Sequence, residues 1–207
     1  MSDRSLAVVP VGPVDFDALY TGDPDPWEVG SSWYEQRKID VVLACLRRPR
    51  YRRAWDAGCG TGHLAARLAD RCDQVNATDV SPVAAALAAA RTAGTPQVTC
   101  GVSALPDRPQ ITEPLDLIVL SEVLYYLDED DRCATYDLVD RLAAQDADVI
   151  GVHWWPQAED YRVPGVQAHR ELGEALTSRG WTRVVTHTDE EFLAAVWSRS
   201  LPAQVGR

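Results

Sequence analysis

The sequence predicts an α/β chain built on a doubly wound, mostly parallel sheet, and three observations carry that expectation. Strand-like and helix-like segments alternate regularly from Ala54 onward. Leu115-Asp116-Leu117-Ile118-Val119-Leu120 is the near-continuous apolar run of a strand buried on both faces. Ala54-Trp55-Asp56-Ala57-Gly58-Cys59-Gly60-Thr61-Gly62 reads as a strand end, a glycine turn and the approach to a helix.

The elements follow in order. Residues 1–50 read as an N-terminal arm and helical lid, 51–200 as the core and 201–207 as a tail. Met1 to Val14, with Pro10 and Pro13, is expected to be a loose arm. Phe16 to Tyr20 suits a short helix, broken by Asp23-Pro24-Asp25-Pro26-Trp27. Ser31-Ser32 caps a second helix that carries Glu35 near its third position. Ile39, Val42, Leu43 and Leu46 share its apolar face, and Pro49 ends it. Helices are expected from His63 to Arg71, from Pro82 to Gly94 with Ser81 as cap, from Asp128 to Ala144, and from Val166 to Arg179. Strands are expected at Gln74–Thr78, Gln97–Gly101, Leu115–Leu120 and Ala147–Trp154. A terminal antiparallel pair is expected at Thr182–His187 and Phe192–Ser198.

Bulk properties narrow the function. A length of 207 residues suits one domain with a real core. A net charge of −11 argues against nucleic acid or an anionic membrane as partner and tolerates a cationic small molecule. Five cysteines without paired spacing fit reduced, buried thiols, and four scattered histidines suggest no metal site. With no signal peptide or membrane-length apolar run, the expectation is a cytoplasmic protein, monomer or homodimer.

The glycine turn is suited to a nucleotide-like ligand. Gly60-x-Gly62-x-x-Ala65, with Asp79 about twenty residues on, satisfies a permissive dinucleotide fingerprint, so an NAD-dependent oxidoreductase stays open. Asp56 in front of Gly58 points elsewhere. A carboxylate has no special use beside a pyrophosphate, but it suits a ligand with an ammonium group. The segment resembles motif I of class I S-adenosylmethionine (SAM) methyltransferases, which implies a Rossmann-like seven-stranded sheet with its last strand antiparallel.

That resemblance implies a cofactor set at the strand ends. Asp56, Gly58 and Gly60 would hold the methionine part, Asp79 the ribose hydroxyls, and Val80 the adenine face. No acid follows the third strand until Asp107, so Val102 and Ser103 would meet adenine through backbone or hydroxyl. Ser121 joins the set at the fourth strand's end. From the lid, Arg37 would reach the SAM carboxylate, with Trp27 or Tyr34 closing over it; a lid merely packed on the sheet edge is the competing reading. Asp116 to Val119 running into Glu122, Tyr125 and Tyr126 resembles motif IV, beside the transferred methyl. Glu122 and His153 are the candidate proton acceptors.

Several stretches together, Phe16 to Tyr20, Asp23 to Trp27, Ser32 to Lys38, Ser121 to Leu127 and Val152-His153-Trp154, are similar to the nodulation protein S (NodS) family. Its members methylate the free amine of a deacetylated chitooligosaccharide. The resemblance implies N-methylation of a small amine, such as an amino sugar, with S-adenosylhomocysteine as product. Trp155 stands where family members carry an arginine, so the sugar wall differs. O-methylation of a natural-product hydroxyl and a non-catalytic SAM-binding module are the other readings.

Overall fold

The computed structural model describes residues 14–111, 114–156 and 158–200; the expected arm up to residue 13 and the tail at 201–207 lie outside them. Its elements are α1 (Phe16–Gly22), α2 (Trp33–Cys45), β1 (Tyr51–Ala57), α3 (His63–Leu68), β2 (Cys72–Asp79), α4 (Pro82–Arg91) and β3 (Val98–Val102). Then come β4 (Leu115–Ser121), a 3-10 turn (Leu124–Tyr126), α5 (Glu129–Leu142), β5 (Ala143–Trp154), α6 (Gly165–Ser178), β6 (Thr182–Thr188) and β7 (Phe192–Ser198).

The seven strands form one sheet in the order β3-β2-β1-β4-β5-β7-β6. Strands β1 to β5 pair in parallel, and β7 runs antiparallel to both β5 and β6. The expected seven-stranded α/β sheet is therefore present. Strand order reverses between β1 and β4, which opens a crevice at the carboxyl ends of those two strands.

Side-chain alternation divides the core into two layers. On one face Leu117, Val119, Ile150 and Val152 pack with Ile39 and Val42 of α2 and Leu64 and Leu68 of α3. On the other, Ile118, Leu120, Val149 and Trp197 meet Leu138 and Val139 of α5 and Leu172 and Leu176 of α6. Asp116 interrupts the apolar run of β4 without an unmet charge, because it accepts the backbone N–H groups of Arg52 (2.9 Å) and Arg53 (2.7 Å).

Caps explain three helix starts. Asp15, Ser81 and Asp128 each accept a backbone N–H from the first turn of α1, α4 and α5. Ser32 occupies the N-cap position of α2 but makes no side-chain cap bond. Several boundaries differ from expectation. Helix α3 stops at Leu68 and α4 at Arg91, β2 begins at Cys72, and β5 begins at Ala143, directly from the end of α5. Among the described residues, no helix is long and apolar enough to cross a membrane.

Candidate active site

The loop after β1 is tied to the end of β2 by backbone bonds. The N–H groups of Gly58 and Cys59 both donate to the Thr78 carbonyl, at 2.8 and 2.9 Å, and Gly60 N–H donates to Asp79 Oδ2 at 2.8 Å. Gly58, Gly60 and Gly62 have φ of 74°, 52° and 81°, in the left-handed region that side chains resist. A Cβ on Gly58 would also lie 2.8 Å from a Val123 methyl, and one on Gly62 would lie 2.9 Å from the backbone of Ala88. Gly62 thus lets α3 and α4 pack closely behind the loop.

This loop floors a cavity of about 710 Å³ that runs from Asp56 to an aromatic wall at Tyr161. Asp56 is 1% exposed, lines the cavity, and has one carboxylate oxygen, Oδ2, without a protein partner. Burial, with help from nearby Asp79, pushes its pKa up to about 7. Asp79 is held by the N–H groups of Gly60 and Ser81 and is also raised, chiefly by burial. Two carboxylates close together, one only half satisfied, form a place for a cation and for hydroxyl donors. The Cys59 thiol beside them is pushed up by burial, so a packing role fits it better than a nucleophilic one.

Helix α1 and the segment after it cover the loop. A Cβ on Gly60 would come within 3.0 Å of the Tyr20 hydroxyl, and Tyr20 meets Trp27 edge-on at 5.7 Å. Trp27, Val80, Ser103 and Ser121 all line the cavity, as do Gly58 and Gly60. Half-exposed Val80 offers an apolar face there.

At the other end stands Glu122, in the left-handed region at φ 58°. Strain of that kind persists only where the surroundings impose it. Here its N–H bonds to the Val152 carbonyl, and its Oε2 accepts from the Tyr125 hydroxyl and the Trp154 N–H, each at 2.7 Å. Lys38 Nζ lies 2.9 Å from Glu122 Oε1 and also binds Glu35. Burial alone would raise the Glu122 carboxyl. Lys38 and the two hydrogen bonds outweigh it and hold the group below its ordinary value. Tyr125 stacks on Tyr161 at 3.8 Å, and Tyr126 meets Phe16 edge-on at 5.1 Å. These rings and Trp154 form the aromatic wall.

Four of the sequence-predicted residues do not line this cavity. His153 does end β5, but on the face of Val149 and Gly151, away from Trp154; it is fully buried with Nδ1 3.0 Å from Nδ1 of His169. Burial, then His169, lowers its pKa to about 3, so a proton-accepting role in the cavity has no geometric support. Arg37 points along α2 to Asp189 at 2.6 Å, in the turn between β6 and β7, instead of toward the glycine loop. Tyr34 packs edge-on to Phe192 at 6.2 Å, and exposed Val102 faces outward from the end of edge strand β3.

Lys38 and Glu35 do line the cavity, and sequence reasoning missed Lys38 altogether. The available signal was a lysine one residue before Ile39 and four before Val42, beside the helix's apolar face. Tyr161, in the segment between β5 and α6, gave no periodic signal at all. Among the described residues, no cluster suited to a metal ion occurs.

Comparison with known proteins bears on the family and the fold. Residues 20–154 match the profile of the family described as Nodulation protein S (NodS). Nodulation protein S of Bradyrhizobium diazoefficiens is 33% identical over 133 residues, covering 61% of this chain and 62% of that protein. The Sinorhizobium fredii protein of the same name is 32% identical over 131 residues, covering 61% and 60%. The match thus spans about three fifths of these relatives' lengths. A Pseudomonas syringae structure with a provisional methyltransferase name has a TM-score of 0.70 and 34% identity, covering 81% of this chain and 99% of that one. The structure of N-methyltransferase NodS from Bradyrhizobium japonicum WM9 with S-adenosyl-L-homocysteine has a TM-score of 0.71, covering 87% and 95%; at 22% identity it supports the fold alone. With its glycine loop and strand-end acids inside the matched stretch, the chain belongs to the Nodulation protein S (NodS) family.

Proposed function

We propose that the protein is a SAM-dependent N-methyltransferase that acts on an amine of a small acceptor, an amino sugar being the best candidate. The single observation that carries this reading is the buried carboxylate of Asp56, one oxygen unpartnered, on the floor of a cavity whose other end holds an ionised Glu122 among aromatic rings. The residues present fit SAM. Asp56 would take its ammonium, Asp79 the ribose hydroxyls with its remaining lone pairs, and Val80 one face of the adenine. When bound, SAM supplies an electrophilic methyl group on sulfur.

The chain's own contribution is placement and electrostatics. The cavity would hold the acceptor nitrogen in line with that methyl, which is where most of the rate advantage of such a transfer arises. Positive charge then develops on nitrogen. Glu122 is already ionised and fixed, so it stabilises that charge without reorganising. Its low proton affinity suits it to this role better than to accepting the proton, and the amine would arrive neutral. Tyr125, Tyr161 and Trp154 offer π faces to a sugar ring or to the nascent ammonium. Family membership and the NodS name of the solved relative support the amine over a hydroxyl acceptor.

Calorimetric titration with SAM, S-adenosylhomocysteine and NAD, run side by side, tests the cofactor. Micromolar binding of the first two without a response to NAD is the expected result. Turnover of glucosamine oligomers in preference to matched hydroxyl acceptors tests the amine; binding of NAD alone would overturn the reading.

A further inference from the structure

Glu122 is surrounded from four directions, and among the described residues only one neighbour carries a positive charge. Tyr125 and Tyr126 approach from the 3-10 turn, Tyr161 from the segment before α6, His153 from β5, and Tyr34, Glu35 and Lys38 from α2. Lys38 is 7% exposed, unusual for a lysine, and its ammonium lies 2.9 Å from both Glu122 Oε1 and Glu35 Oε2. Burial alone would discharge it; Glu122 and Glu35 outweigh that and hold it charged. The Glu122 side chain is 23% exposed and lines the cavity, while its Oε1 is buried against Lys38.

We propose that Lys38 is the positioning residue of the acceptor site: delivered by the lid helix, it clamps Glu122 Oε1 and thereby fixes the direction in which the carboxylate faces the acceptor nitrogen. This rests on the methyltransferase reading for the identity of the acceptor, but not for the clamp itself. The strand end can bind only Oε2, through Tyr125 and Trp154. The Lys38 ion pair is what holds Oε1, which accepts no hydrogen bond; without that ammonium the carboxylate is free to turn or to take up a proton. Catalytic competence is thereby tied to the seating of α2. Glu35 balances the clamp, so that the group of three retains one net negative charge for an arriving amine.

The test uses the full chain labelled with 13C at glutamate Cδ, with Glu122→Gln assigning the resonance. In the wild type the Glu122 signal should stay in its ionised position to the lowest pH at which the protein is folded. In Lys38→Met it should titrate about one pH unit higher or more. Lys38→Gln, which keeps a donor but no charge, should fall between them and covers the case in which the methionine variant does not fold. Titration of Glu122 at the same pH in all three proteins would overturn the proposal. Kinetics add a second arm: kcat/KM for the amine should fall about tenfold or more in Lys38→Gln while S-adenosylhomocysteine affinity stays within about twofold. A parallel loss of S-adenosylhomocysteine affinity would make Lys38 a mere lid strut and would equally overturn it. Absence of turnover by the wild type would sink the methyltransferase reading and leave the titration to decide the clamp.

Discussion

Asp148 and Asp56 are both buried aspartates on sheet strands, level with Leu117 and Val119 of β4, yet their hydrogen-bonding surroundings are opposite. Asp148 receives the Tyr51 hydroxyl at 2.7 Å and Arg47 at 3.1 Å, with Arg48 3.7 Å away. Every acceptor it has is used. Asp56 has an oxygen with no partner, and its pKa is raised to about 7. Asp148 is thus paired within the protein, while Asp56, at the carboxyl end of β1, keeps an unpartnered oxygen. A fold can tolerate that deficit where a ligand is to supply the missing cation, which is the role proposed above for Asp56.

Asp148→Ala leaves two arginines and a tyrosine facing a vacancy, and should cost about 3–5 kcal/mol of unfolding free energy. Chemical denaturation reads this directly; S-adenosylhomocysteine affinity of the folded fraction should be unchanged.

Asp56→Asn should do the reverse. Because the folded pKa of Asp56 lies above its ordinary value of 3.8, its favourable contribution is whole below that value and is lost as pH rises through about 7. The asparagine variant should therefore equal the wild type near pH 4 and exceed it by about 2 kcal/mol or more at pH 8. Its affinity for S-adenosylhomocysteine should drop roughly 10- to 100-fold at pH 8, as expected for loss of a charge-assisted contact. In the wild type, binding should strengthen as pH rises through about 7 and should release a proton at lower pH, measurable by calorimetry in buffers of different ionisation enthalpy.

Gly62→Ala combines an unfavourable φ of 81° with a 2.9 Å approach to the Ala88 backbone, so about 1–3 kcal/mol of stability should be lost. S-adenosylhomocysteine affinity should fall with it, because α3 carries the loop. The smallest effect is expected from Arg37→Ala, whose partner is Asp189. Its S-adenosylhomocysteine affinity should stay within about twofold of the wild type, since rim pairs of this kind contribute little.

The strand-end rule made half of the site legible. Asp56, Asp79, Ser121 and Glu122 follow from where the apolar runs stop, and sheet topology then brings them together. Lys38 was hidden because its partner lies 84 positions away in sequence, and helical periodicity says nothing of a neighbour across a lid. His153 failed for a different reason. Strand β5 is buried on both faces, so no polar alternation betrays which residues look toward the crevice and which toward α6. The same double burial made β4 and β5 easy to recognise as strands. What identifies an element can thus erase the direction of its side chains.

The position of β7 has a consequence for how the chain acquires its fold. It pairs with both β5 and β6, so β6 joins the sheet only through a strand that follows it in sequence. Until Phe192–Ser198 is in place, β5 presents an open edge and β6 has nothing to bind. The β6–β7 hairpin should therefore dock as a unit late in folding, and a nascent chain would carry that exposed edge until β7 emerged from the ribosome.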